Sequence, residues 1–228
     1  MPGVRKLTPT SYAILGLLGL RSWSAYELTK QGRRSLHFCW PRAETRIYQE
    51  PKNLVEQGLV KATTSAQGRR ARTEYAITAK GRRALRAWMG EASAPPRLES
   101  EALLRVFFAE HGTKESLLAT LTELEGQALA MRRQAVQQGA EYLAGAAPFP
   151  ERIHILGLVG RFTLDHTALV AGWARWARAE IERWPDVDSG EVSPEVVRDF
   201  EAALSELAGA ETAGRPARPA PVRGLAGR

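Results

Sequence analysis

The spacing of apolar positions changes several times along the chain, and each change marks an element. Thr8-Pro9 reads as a helix N-cap followed by proline at the first helical position. The run SYAILGLLGL then brings Tyr12, Ile14, Leu15, Leu17, Leu18 and Leu20 close together. It is too short to span a bilayer and predicts a buried first helix. Gly16 and Gly19 lower its intrinsic propensity, so packing must supply its stability. Ser24-Ala25-Tyr26-Glu27 has the form of a capping box and opens a second helix reaching about Leu36. That helix is expected to bury Tyr26 and Leu28. It carries Lys30, Arg33 and Arg34 towards its end, where cations suit the helix dipole.

From Pro41 to Val60 the spacing is helical again. Ile47, Leu54, Val55 and Leu59 fall close to one stripe, and Arg42, Thr45, Arg46, Gln49, Lys52 and Asn53 occupy the opposite face. Gly58 is a suitable left-handed stop. The period then drops to two. Leu59–Thr64 and Thr73–Thr78 alternate, with Val60, Tyr75 and Ile77 inward and Lys61 and Glu74 outward. Between them SAQGRRAR turns at Gly68 and clusters Arg69, Arg70 and Arg72 at the tip. Thr78 caps a further helix with Leu85, Trp88 and Met89 on its inner side. Helices followed by a short hairpin and another helix make a winged helix-turn-helix.

After the proline-bearing connector SAPPR the pattern is helical throughout. Leu98–Glu110 is expected to bury Leu103, Leu104, Val106, Phe107 and Phe108. Thr113 caps a long helix with leucines at 117, 118, 121, 124 and 129. AGAAPFP is a loop. In Ile153–Trp184 the residues Ile155, Phe162, Leu169 and Trp176 recur at seven, as do Val159, His166 and Trp173 on a neighbouring row. A sustained seven-residue seam packs against another helix, and a second copy of the chain would supply it. A short helix begins at Ser193-Pro194, with Val196, Val197, Phe200, Leu204 and Leu207 apolar. The fold class is mainly α with a small β wing. A winged helix-turn-helix N-terminal domain (1–92) and a linker (93–97) precede an all-helical dimerisation and effector domain (98–209) and a disordered tail (210–228).

Charge sharpens this division. Residues 1–92 hold 17 lysines and arginines against 6 aspartates and glutamates, net +11, whereas residues 93–228 hold 15 against 19, net −4. A basic front joined to a mildly acidic back implies a polyanion-binding module and a separate partner module. Arginine, glutamine and asparagine match guanine and adenine edges in the major groove. Arg42, Arg46 and Gln49, beside Thr45, are therefore candidates for base or near-base contact. Tyr48, Lys52 and Asn53 are candidates for supporting or phosphate contact, and Arg69, Arg70 and Arg72 for wing contact with phosphate or the minor groove. A dimer would present two such helices to a palindromic double-stranded operator.

Trp40, Phe162, Trp173 and Trp176 are candidates for a small-molecule effector site, with plain core packing as the alternative. Cys39, flanked by Phe38 and Trp40, reads as a buried small hydrophobe. The lone cysteine leaves no disulfide framework. Histidines 37, 111, 154 and 166 lack metal-ligand spacing, and no nucleophile–base, paired-carboxylate, phosphate-loop or dinucleotide signature stands out. The expectation is a protein with no catalytic residues, no metal and no cofactor. With no membrane-spanning run and no signal-peptide pattern, it would be cytoplasmic and nucleoid-associated. A winged-helix protein–protein adaptor is the competing class, since fold does not fix function.

TPTSYAILGLLGLRSWSAYEL, RIYQEPKNLVEQGLV and TEYAITAKGRRALRAWM together resemble the PadR family of bacterial transcriptional regulators. The features that carry the resemblance are Ile47-Tyr48, Leu54, Gly58-Leu59-Val60, Tyr75, Thr78, Gly81 and Trp88. They cover residues 7–90, while the helical remainder resembles, in pattern only, the longer C-terminal domain of one branch. The resemblance implies a dimeric repressor that reads an inverted repeat near its own or an adjacent promoter. A small aromatic acid or other amphipathic ligand would relieve it. Pro51 stands where the family pattern has leucine. A proline inside a helix costs about 3 kcal/mol unless the helix bends. The expectation is a bend beyond Pro51. Arg42 to Gln49 would then carry the readout, Leu54 and Val55 would anchor, and Lys52 would be left for the DNA backbone.

Overall fold

A computed structural model of the chain describes residues 6–40, 46–67 and 70–213. The chain divides into two compact units, Met1–Leu98 with Ile155–Val159, and Glu99–His154 with Gly160–Arg228.

The first unit opens with helix α1, Pro9–Leu20. Its cap is reciprocal: Thr8 accepts the Ser11 amide, and the Ser11 hydroxyl accepts the Thr8 amide. Ile14, Leu15 and Leu18 are fully buried. Strand β1, Trp23–Ser24, leads into α2, Ala25–Leu36, through the expected Ser24–Glu27 capping box. After α3, Glu50–Glu56, the strands β2, Val60–Gln67, and β3, Arg70–Ile77, form the hairpin, and α4, Ala79–Met89, follows its Thr78 cap. The sheet is antiparallel in the order β1-β3-β2, with Val60 opposite Ile77 and Trp23 opposite Tyr75. Val60, Tyr75 and Ile77 face inward as the alternation requires. Trp88 of α4 stacks on Tyr12 of α1, ring centroids 4.8 Å apart.

Two expected burials fail in this unit, and strand β1 is an element that the sequence pattern does not predict. Its two residues carry no readable period, and it exists because the Trp23 indole donates to the Leu17 carbonyl at 2.8 Å and lays this stretch along β3. Tyr26 is 72% exposed while Leu28 is fully buried. Two residues apart on a helix lie on nearly opposite faces, so both could not enter one core. Met89, the last residue of α4, is exposed beyond the reach of the core that holds Leu85 and Trp88.

The second unit contains α5, Glu101–Phe107, a single 3-10 turn at Ala109–His111 and the long helix α6, Lys114–Leu143. A second 3-10 turn at Pro150–Arg152 leads into α7, Ile153–Glu182, of which Ile155–Val159 count with the first unit, and α8, Pro194–Ala213, follows. Leu117, Leu121, Ala177 and Ile181 form its core, with Val106, Trp173, Trp176 and Trp184 packed around them. The covered face of α7 is built from small residues, Thr163, Thr167, Ala171, Ala174 and Ala177. Polar ties hold α6 to α7. Glu125 pairs with Arg175 at 3.0 Å and Arg178 at 3.1 Å, Arg132 donates to the Leu164 carbonyl, and Lys114 donates to the Glu182 and Trp184 carbonyls.

Here the expected burial differs most. Leu104, Phe107 and Phe108 are exposed, and Leu103 and Val106 are only half-buried. Most of the seven-residue seam of α7 is exposed. Ile155, Val159, Phe162, His166 and Leu169 are exposed, and only Trp173 and Trp176 at its end are half-buried. A large apolar side chain at helical spacing shows that something covers it, not that this chain does. The helix beginning at Pro194 is 20 residues long, so helical backbone passes the expected tail start at 210; the remainder of that tail lies outside the described residues.

Thr78 and Gly81 close the first unit. A Cβ on Gly81 would lie 2.2 Å from the Leu59 carbonyl oxygen and 2.8 Å from Ile77 Cγ1. Backbone cannot yield as a flexible side chain does. Gly81→Ala is therefore expected to destabilise the protein by about 1–3 kcal/mol, read as a lower urea midpoint. A midpoint equal to wild type would show that this approach is not tight.

Candidate nucleic-acid interface

The segment singled out in the sequence is not one helix. Backbone at Arg46 is helical, residues 47–49 turn, and α3 starts afresh at Glu50 with Pro51 in its first turn. The break thus lies before Pro51, not beyond it. Pro51 has no amide to offer the Ile47 carbonyl, and its ring crowds that carbonyl, but proline fits the first turn of a helix well. The Lys52 amide instead reaches the Gln49 carbonyl at 3.1 Å. The far end behaves as expected. Gly58 adopts φ +68°, and the Leu59 and Gly58 amides donate to the Leu54 and Val55 carbonyls, each at 2.9 Å. This is a Schellman motif, with Leu54 and Leu59 buried side by side.

One side of 46–56 enters the core. Ile47 and Leu54 are fully buried, and Ile47 comes so close to α2 that a Cβ on Gly32 would lie 2.2 Å from its Cδ1. Glu50 also lies on this side, only 7% exposed. Its Oε1 accepts from the Ser11 hydroxyl at 2.5 Å and its Oε2 from the Asn53 amide nitrogen at 3.1 Å. A buried carboxylate with donors on both oxygens is satisfied and joins α3 to the cap of α1. The sequence reading missed it. The signal was an acid at the third position between Ile47 and Leu54, on the apolar stripe of a segment that otherwise looks cationic.

The other side is open. Arg46, Tyr48, Gln49 and Lys52 are exposed, Tyr48 by 55%, and Asn53 is half-buried. Arg42, Thr45 and Arg69 lie outside the described residues. The backbones of Arg70 and Arg72 pair with Gln67 and Ser65 in the hairpin. At the hairpin base the Thr78 amide donates to the Leu59 carbonyl at 3.0 Å, its hydroxyl is shared between the Gly58 carbonyl at 2.8 Å and the Leu59 carbonyl at 3.1 Å, and Lys80 donates to the Gln57 carbonyl at 2.8 Å. The hairpin is therefore held directly to the end of α3.

The effector candidates are drawn from both units. Trp173 and Trp176 pack on the core of the second unit, and the Trp176 indole donates to Glu195 at 3.0 Å. Phe162 is 68% exposed and stacks on His166. Trp40 belongs to the first unit, where its indole donates to the Thr10 hydroxyl at 3.0 Å. A cleft of about 440 Å³ in the second unit is lined by Leu104, Arg105, Phe108, His111 and Leu117 among others, and by none of these four. Cys39 is exposed rather than buried. Partial desolvation still pushes its thiol upwards, opposed by a backbone hydrogen bond. Among the described residues there is no group of histidine, cysteine or acidic side chains able to hold a metal ion, and no helix is long and apolar enough to cross a membrane.

Residues 14–87 match the model of the Transcriptional regulator PadR-like family. The chain is 30% identical over 99 residues, 42% of its own length and 54% of the relative's, to the Negative transcriptional regulator PadR of Bacillus subtilis (strain 168). The aligned stretch spans about half the length of the curated relatives it matches. Two solved structures share the fold. The crystal structure of Bacillus subtilis PadR in complex with operator DNA gives a TM-score of 0.65 at 23% identity, covering 77% of this chain and 99% of that one. The same protein in complex with p-coumaric acid gives 0.59 at 23% identity, covering 76% and 98%.

Proposed function

Taking residues 14–87 as a PadR-like winged-helix domain, we propose that this protein is a transcriptional regulator that binds double-stranded DNA, acting as a dimeric repressor on an inverted repeat. The observation that carries the reading is the exposed row Arg46, Tyr48, Gln49 and Lys52, opposite the buried Ile47, Glu50 and Leu54 and tied to the hairpin through Leu59 and Thr78. The net charge of +11 over residues 1–92 suits a phosphate backbone. In this reading Arg46 and Gln49, with Arg42 and Thr45, meet base edges. Tyr48, Lys52 and Asn53 support them, and Arg69, Arg70 and Arg72 serve the wing. Fold similarity to an operator-bound PadR supports the reading.

Selection from a random duplex pool should enrich an inverted repeat whose half-sites are about one helical turn, or a multiple of it, apart. On that site Arg46→Ala should lose about 1–3 kcal/mol of affinity while binding to random duplex changes little. Equal loss on both would demote Arg46 to a phosphate contact. Capture of a protein partner with no duplex preference would favour the adaptor reading.

A dimer would cover Phe162, Leu169 and their neighbours on α7, which are too numerous for a solvated helix face. The wild-type protein should show twice its 25.1 kDa chain mass by light scattering, and Phe162→Glu with Leu169→Glu should show the single mass. A monomeric wild type sinks this part.

The complex of Bacillus PadR with p-coumaric acid supports an aromatic acid as the effector class. Titrating such acids into the protein–duplex complex should release duplex and saturably change tryptophan fluorescence. No saturable change across the class argues against it.

A further inference from the structure

We propose that Glu50 is a specificity-determining residue: it holds the Asn53 amide in one orientation and so makes Asn53 an adenine reader. The inference rests on the DNA reading above. A carboxylate only accepts hydrogen bonds, and Glu50 Oε2 takes one from Asn53 Nδ2 at 3.1 Å. If the amide flipped, its carbonyl oxygen would face a carboxylate oxygen inside a site where Glu50 is 7% exposed. The nitrogen of Asn53 is thus held towards Glu50 and the oxygen away from it. One N–H is used there, leaving the second N–H and Oδ1. Those are the donor and acceptor that adenine N7 and N6 require side by side.

Glu50 is itself held. Its other oxygen accepts from Ser11, which is 1% exposed and locked in the reciprocal cap with Thr8. The relay therefore runs from the α1 cap, through two buried side chains, to a half-buried amide. Asn53 lies four residues after Gln49, so the two share a face. A fixed amide also loses less rotamer freedom on binding than a free one.

The test is positional. Wild-type protein, Asn53→Ala, Glu50→Gln and Ser11→Ala are each put through selection from the same random duplex pool, with folding checked by far-UV circular dichroism. Wild type should enrich one half-site column for adenine, and Asn53→Ala should lose that column alone. Glu50→Gln can present either an oxygen or a nitrogen to Asn53, so the adenine preference there should fall by about tenfold while other columns hold. Ser11→Ala keeps the carboxylate but frees it to move, and should lower the same preference by a smaller factor, even if Glu50→Gln does not fold. A purely structural Glu50 would weaken all columns evenly, and that result overturns the proposal. So does an Asn53→Ala or Ser11→Ala profile identical to wild type. If wild type enriches no sequence, the DNA reading itself fails; an enriched repeat without an Asn53-dependent column sinks only this inference.

Discussion

The backbone carbonyl of Leu59 is the point on which the first unit turns. It accepts the amide of Thr78, shares the Thr78 hydroxyl with the Gly58 carbonyl, and lies where a side chain on Gly81 would stand. The Leu59 amide meanwhile closes the Schellman turn of α3. One residue therefore joins the end of α3, the base of the hairpin and the start of α4. Each partner is the kind of residue the geometry demands: a glycine at positive φ in Gly58, a capping hydroxyl in Thr78, and a residue without Cβ in Gly81. The burial of Leu54 and Leu59 stabilises this arrangement but does not aim it; the hydrogen bonds do.

Features governed by local chemistry were legible before the structure. Thr8, Ser24, Thr78 and Thr113 cap the helices they were assigned to, Gly58 stops α3, and the alternation at Val60, Tyr75 and Ile77 sets the hairpin faces. What failed depends on distant partners. Strand β1 needs β3 to exist, and Glu50 reads as a surface acid until Ser11, 39 positions earlier, is brought to it. Pro51 was recognised as a disturbance but put on the wrong side of the break. Proline harms the turn before it and tolerates the helix after it. In the candidate site, exposed Arg46, Gln49 and Lys52 follow from periodicity, but Asn53, which periodicity puts on the same face, is half-buried with its amide engaged by Glu50.

The second unit shows a different limit. Helix α7 has two apolar sides. The side lined by Thr163, Thr167, Ala171, Ala174 and Ala177 is covered, while bulkier Phe162 and Leu169 face outward. A pattern that counts apolar residues without their size ranks these sides in reverse. Close approach of two helices favours small residues, whereas a surface awaiting another body can carry large ones.

The hairpin has one consequence of scale. From Val60 to Gln67 the paired strands run seven steps, about 23 Å at the usual strand rise. They are fastened towards one end, where Thr78 meets Leu59 and β1 pairs with Glu74 and Tyr75 of β3. The hairpin is in effect a lever pivoting on its base. A tilt of about 5° at that pivot carries the Gln67–Arg70 end through about 2 Å, more than a hydrogen bond tolerates. The position of the Gln67–Arg70 backbone is therefore decided by the stiffness of the hairpin base, several residues away.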